Sequence, residues 1–171
     1  KVLQDSIYQK PKLAECLLFE DTIKHNDEEY VLISNTPQWQ YDLTQFITKE
    51  KTVRRQGELM LNTFCSKKKS DAVYLYVLDD FFYLTIISHN KLIFFNTFNF
   101  QTAKDFCYFV VASMQANNIP NDTEVYVVGD IMIDSEIIKL LKKYIAQIVF
   151  LQTAHSVESA DVFLHRFYTQ L

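Results

Sequence analysis

The stretch AVYLYVLDDFFYLTIISHNKLIFFNTF, residues 72–98, decides the fold. It reads as three apolar strands, 72–78, 81–88 and 91–98, separated by Asp79-Asp80 and His89-Asn90. Gaps of two residues between strands predict tight hairpins, and hence antiparallel pairing. Asn accepts positive φ more readily than most residues, so Asn90 suits the second turn. The load of Tyr, Phe, Ile and Val suits a sheet covered on much of both faces. Tyr74, Tyr76 and Tyr83 alternate along their strands and line either a helix-packed face or a dimer face.

Downstream, the pattern changes to helix and strand in alternation. Thr102 reads as an N-cap with Asp105 three residues on, a capping box with Asp in place of Glu or Gln. Ala103, Phe106, Cys107, Val110, Val111 and Met114 are expected to form the buried stripe of a helix ending near Asn117–Asn118, with Pro120 beyond the stop. TEVYVVG (123–129) is a buried strand. Asp134 or Ser135 caps a helix carrying Ile137, Ile138, Leu141, Tyr144 and Ile145, and AQIVFL (146–151) is a further strand. Ser156 caps a last helix with Val157, Ala160, Leu164, Phe167, Tyr168 and Leu171 on one face. The order over 72–171 is therefore β-β-β-α-β-α-β-α. Strands reached through helices add in parallel to the antiparallel hairpins. The expected fold class is α/β with a ribonuclease-H-like mixed sheet.

Upstream, the reading is less regular. PKLAECLLFEDTI (11–23) is a short helix or a helix running into a strand. EEYVLIS (28–34) is expected as a strand that Asn35 ends, with Pro37 excluding a continuing central strand. QYDLTQFIT (40–48) suits one or two helical turns. Val53, Gln56, Leu59, Met60 and Phe64 recur at helical spacing over 50–65, with Gly57 at a close contact. KKKSD (67–71) is a loop and the expected boundary between a partial first lobe, 1–66, and the ribonuclease-H-like lobe, 67–171. The chain opens on KVLQDSIYQK without Met, so upstream sequence is expected.

Composition narrows the function classes. The 171 residues hold 14 Phe and 10 Tyr, ample for a core, but only two glycines, Gly57 and Gly129. Phosphate loops use Gly because backbone N–H groups must approach the ligand closely. Net charge is -4, so the basic block at 49–69 reads as a solvated helix face plus loop, and nucleic-acid binding is not expected. Cys16, Cys65 and Cys107 are odd in number and form no C-x-x-C pair, which suits reduced thiols in the cytoplasm. Cys65, next to a polar run, is expected to be exposed and Cys107 buried. No long apolar span predicts a membrane helix. His25, His89, His155 and His165 show no zinc spacing, and neither Ser88–His89 nor Cys65 shows a nucleophile motif.

KLIFFNTFNFQTAKDFCYFVVASMQ (91–115), followed by TEVYVVGD (123–130), resembles a domain-of-unknown-function family of Bacteroidota, DUF3822-like, whose members resemble actin-like ATPases in fold. On these motifs the resemblance extends over roughly residues 50–171. It implies a phosphate loop of Asp-x-Gly type at the first hairpin, and here VLDDFFYLT offers Asp79 but places Phe81 where Gly belongs. It implies a Gly-Gly after the fourth strand, and here Gly129 is followed by Asp130. Asp79, Gly129 and Asp130 are thus weak candidates for holding a nucleotide. The expected role is a non-catalytic structural or protein-binding module, partnered by another protein or by itself, with no cofactor, no metal and no catalytic residue. A degenerate nucleotide binder is the second reading. A metal-dependent nuclease recruiting Asp79 or Asp80, Asp105, Asp130 and Asp161 is the third. Tyr30, Trp39 and Tyr41 form either a contact surface or the edge of a core.

Overall fold

The computed structural model describes residues 2–4, 16–38, 42, 56–65 and 69–151. The strands are β1 (Val2–Gln4), β2 (Cys16–His25), β3 (Glu28–Pro37), β4 (Ala72–Val77), β5 (Phe81–Ser88), β6 (Lys91–Asn99), β7 (Val125–Gly129) and β8 (Ile148–Phe150). The helices are α1 (Gln56–Cys65), α2 (Ala103–Ala116) and α3 (Glu136–Leu141). One sheet runs β6-β5-β4-β7-β8 and the other β1-β3-β2.

In the five-stranded sheet β4, β5 and β6 pair antiparallel, while β7 pairs with β4 and β8 with β7 in parallel. The mixed sheet broadly resembles the ribonuclease-H-like order expected from the sequence. The helix expected from Ser156 lies outside the described residues. Every residue of β4 is buried, as a strand covered on both faces requires. Its period of two sorts the core. Val73, Leu75 and Val77 join Phe82, Leu84, Val125 and Val127 against Phe106, Val110 and Met114 of α2 and Ile138 and Leu141 of α3. Tyr74 and Tyr76 join Tyr83, Tyr126 and Val128 against Met60, Leu61 and Phe64 of α1 and Ile23, Tyr30 and Leu32 of the other sheet. Of the two faces expected for these tyrosines, the helix-packed one is found: Tyr74 and Tyr76 are buried within the chain itself. Tyr30 is likewise core, whereas Trp39 and Tyr41 lie outside the described residues.

Local chemistry explains the element ends. The β5–β6 turn holds both His89 and Asn90 at positive φ, 51° and 60°, the twist a two-residue hairpin needs. A bulge makes Ile93 the extra residue between the pairs Ile86–Phe94 and Ile87–Leu92. The capping box of α2 is complete: Thr102 Oγ1 accepts the Asp105 N–H at 3.2 Å and Asp105 Oδ2 accepts the Thr102 N–H at 3.0 Å. At its other end Asn118 turns left-handed (φ 57°). Ile119 N–H then reaches Met114 O at 2.9 Å and Asn118 N–H reaches Gln115 O at 3.0 Å, with Ile119 and Met114 both buried. This is a Schellman end with Asn in the usual Gly place, one way a glycine-poor chain stops a helix. Ser135 caps α3, its Oγ accepting the Ile138 N–H.

The region before residue 50 departs from the sequence reading. Of the two readings of 11–23, the one that ends in a strand holds for the described part: residues 16–25 are a strand and pair with β3 through a turn in which Asn26 and Asp27 both take positive φ. Leu18, Glu20, Thr22 and Lys24 point outward while Ile23 and His25 are buried, a period of two. The β3 strand passes Asn35 and reaches Pro37 opposite Cys16. Proline is tolerated there because β1 pairs only with Val31–Ile33, leaving β2 alone beside Pro37 among the described residues. The two hairpin turns meet: Asn26 Nδ2 donates to Asn90 O at 2.6 Å, and Lys91 pairs with Glu28. The Tyr30 hydroxyl donates to Glu28 Oε2 at 2.6 Å, and burial, reinforced by that carboxylate, pushes its pKa up to about 12.

Asp71 ties the start of β4 to the β5–β6 turn. Its Oδ1 accepts the His89 N–H at 3.1 Å and the Ser88 hydroxyl at 2.9 Å. These bonds, the backbone one first, hold the carboxyl below the usual range. A depressed folded-state pKa means stability present above the unfolded value and lost as pH falls through the folded one. Asp71→Asn is therefore expected to flatten the loss of stability below about pH 4. Urea midpoints across a pH series measure this, and parallel profiles for variant and wild type would remove Asp71 from the acid limb.

Candidate functional site

The β4 and β7 strands are parallel, with Val77 opposite Gly129. The Asp79-Asp80 turn and Asp130 therefore leave the sheet at one edge, outside the carboxyl ends of parallel strands, where open α/β sheets bind ligands. Tertiary structure thus brings Asp79, Gly129 and Asp130 to a common place. All three are exposed.

The backbone at this edge is turned inward. The Leu78 N–H donates to Phe81 O at 2.9 Å, closing the hairpin turn, and the Phe100 N–H donates to Asp80 O at 3.0 Å. The Asp130 N–H donates to Val77 O at 2.8 Å and the Ile131 N–H to Gly129 O at 2.9 Å. A phosphate cradle needs such groups free and converging. Phe81 is half-buried, and its ring meets Tyr83 edge-on at 5.7 Å. Phe82, one residue on, points to the other face and into the core.

Gly129 has a structural reason to be glycine. Its φ is +105°, and a Cβ there would lie 2.0 Å from Val77 O. The requirement comes from the close approach of β7 to β4, as a strand-end reading of this glycine expects.

The carboxylates of the nuclease reading are dispersed in role. Asp105 is engaged in the capping box, and Asp161 lies outside the described residues. Among the described residues no group of three or more His, Cys, Asp or Glu side chains is placed to hold a metal. Tertiary structure does collect one Ser-His-Asp group that spacing did not suggest. Ser88 Oγ lies 2.9 Å from Asp71 Oδ1 and 3.0 Å from His89 Nδ1. The order is wrong for a triad, in which His bridges Ser and Asp. Here Asp71 takes the Ser88 hydroxyl and the His89 backbone N–H directly.

Cys65 is buried rather than exposed, because α1 turns it toward Tyr30 and Tyr74, and burial pushes its thiol up to about 12. Cys107 is buried as expected, and its thiol is pushed up to about 11. A nucleophilic thiol needs the opposite shift.

At the far end of β4 and β7, Lys69 pairs with Glu124 at 3.1 Å and sits over the Tyr126 ring at 5.7 Å. The Tyr126 hydroxyl donates to Glu124 Oε2 at 2.6 Å, and the Tyr126 and Lys69 bonds hold the Glu124 carboxyl below its usual range. Tyr126 stacks on Tyr74 at 5.2 Å, and Tyr74 on Phe64 at 4.6 Å. This group saturates itself and caps an aromatic column.

A crystal structure from Bacteroides thetaiotaomicron, described as a protein with actin-like ATPase fold and unknown function, aligns with a TM-score of 0.77 at 16% identity. The alignment covers 96% of this chain and 62% of that one, so the chain spans less than two thirds of that relative's length. At this identity the likeness establishes the fold, an actin-like one. An AlfA filament bound to AMPPNP aligns with a TM-score of 0.43 at 13% identity, over 66% of this chain and 44% of that one, too shallow to bear on the fold. No curated protein matches the chain. The family match extends further toward the start of the chain than the motifs at 91–130 implied, and takes in the β2–β3 hairpin. Residues 5–148 match the family described as protein of unknown function DUF3822, and the chain belongs to that family.

Proposed function

We propose that the protein is a non-catalytic structural or protein-binding module, an actin-like fold whose nucleotide-binding loops are degenerate. The observation that carries this reading is Phe81. It occupies the glycine place of the first phosphate loop, its carbonyl closes the turn, and its ring rests on Tyr83. A ring and Cβ stand where phosphate needs bare backbone. The inward N–H groups of Asp130 and Ile131 point the same way. With this reading goes the division into a partial first lobe, 1–66, and a ribonuclease-H-like lobe, 67–171, and a role in the cytoplasm with a protein partner or a second copy.

A degenerate nucleotide binder is the second reading. It is favoured by the shared sheet edge of Asp79, Gly129 and Asp130, with a divalent ion needed to offset the carboxylates. Calorimetric titration of the folded protein with ATP and Mg²⁺ separates the two. The expected result is no saturable heat at micromolar nucleotide. Saturable binding that Asp130→Ala abolishes would sink the scaffold reading and put a ligand at this edge.

A further inference from the structure

The outer side of the α2–α3 pair carries a second apolar surface that the fold does not use. The core stripe of α2 is Phe106, Cys107, Val110, Ser113 and Met114. Beside it Lys104, Tyr108, Val111 and Ala112 line a groove of about 370 Å³ whose opposite wall is Leu140 and Tyr144. The spacing i, i+4, i+7, i+8 is that of a helix face. Val111, expected in the buried stripe, is half-buried beside Ala112 in this lining, which shares Cys107 with the core, and the two tyrosines are 67% and 52% exposed. Both are among the five large hydrophobic side chains that are exposed in the described residues. Tyrosine with its body accessible is a common anchor of protein interfaces.

The charge near this groove is mainly basic, with Lys104 in its lining and further lysines beyond it. Lys104 stands on α2, and Lys139, Lys142 and Lys143 lie on α3 and the turn after it. None of these four lysines makes an ion pair among the described residues. Lys142 and Lys143 line a separate shallow depression that shares Tyr144 with the groove, and Asp122 is the one acid in its lining. The acids on the two helices are Asp105, spent in the capping box, and Glu136 in the first turn of α3. In a chain of net charge -4 this is a local excess of lysine beside an apolar cleft, four against the exposed Asp122, Asp134 and Glu136.

We propose that the α2–α3 groove docks an amphipathic helix of a partner protein, its apolar stripe flanked by Asp and Glu. A helix fits because the cleft runs between two helices and offers no free strand edge for an extended peptide. The lysines select acid on the partner, mainly through encounter rate and orientation. The inference goes beyond the nucleotide question and does not depend on its answer.

The test uses the full chain and three labelled 18-residue helical probes, read by fluorescence anisotropy. One carries a leucine stripe at i, i+3, i+4 and i+7 with Glu elsewhere. The second keeps the stripe with Lys elsewhere, and the third scrambles the first. The expected result is saturable binding of the first probe alone, weakened by salt. Tyr108→Ala with Tyr144→Ala weakens it about tenfold or more, and so does Lys104→Glu with Lys143→Glu. All four side chains are on the outer surface, and a thermal melt of each variant checks that the fold is kept. Equal binding of the acidic and scrambled probes, binding untouched by the tyrosine pair, or no saturation by roughly 1 mM peptide overturns the proposal. So does a dimer in sedimentation that the tyrosine substitutions dissolve, since the groove would then be an interface between copies.

Discussion

Phe82→Ala lowers stability by about 3–5 kcal/mol, the usual cost of emptying a buried phenylalanine site. Phe82 is fully buried and sits among Phe106 at 4.3 Å, Phe98 at 5.6 Å and Phe100 at 6.0 Å. It joins β5 to the α2 layer, so the cavity opens between sheet and helix, where neither can collapse alone. At roughly 2–4 °C per kcal/mol for a chain of this size, the melting temperature falls by roughly 6–20 °C. Urea unfolding at unchanged slope checks the magnitude, and a loss under about 1 kcal/mol would show a core that repacks. Phe81→Ala is the internal comparison: half-exposed and outside the α2 layer, it costs far less. The contrast between two neighbouring phenylalanines tests the sorting of the strand's two faces directly.

Gly129→Ala is the second large effect, and its cause is backbone rather than core. The new Cβ meets the Val77 carbonyl at 2.0 Å, and φ is +105° where side-chain-bearing residues are strained. The contact is with the Val77 backbone, not with a flexible side-chain end. The same Val77 oxygen accepts the Asp130 N–H at 2.8 Å, so moving it breaks the turn after β7 as well. The expected loss is at least about 2 kcal/mol. If thermal melts show Gly129→Ala within about 0.5 kcal/mol of wild type, the size of an ordinary surface change, then β7 does not approach β4 as closely as described. Stability and ligand binding separate here: the glycine is explained with no nucleotide present, so a retained Gly at this edge is poor support for a retained site.

Much of the architecture was legible because its signals are local. Two-residue gaps at Asp79-Asp80 and His89-Asn90, the Thr102–Asp105 box and the Ser135 cap act over a few residues. Adjacent side chains and backbone groups supply them, and their chemistry is the same in any fold. The β2 strand stays open between helix and strand in the sequence for the opposite reason. Leu17, Leu18, Phe19 and Ile23 in CLLFEDTIKH fit helix and strand spacing about equally, and pairing with β3, not local preference, decides between them. Cys65 was misplaced because a polar run after it says nothing about what packs over α1. The Asp71–Ser88–His89 group and the Tyr108–Tyr144 groove had no sequence signal, since each joins residues 17 or more positions apart.

The sequence alone was enough for the two hairpins of β4–β6, the caps of α2 and α3 and the place of Phe81 after the first turn, because each depends on periodicity or on near neighbours in the chain. Only the tertiary structure decided which face of the sheet each tyrosine serves, that Asp79 and Asp130 share an edge, and that Gly129 must be glycine. Those outcomes follow from parallel pairing of β4 with β7 across about fifty residues. Such a pairing is chosen by burial of both sheet faces at once, a property of the packed chain that no short window of residues contains.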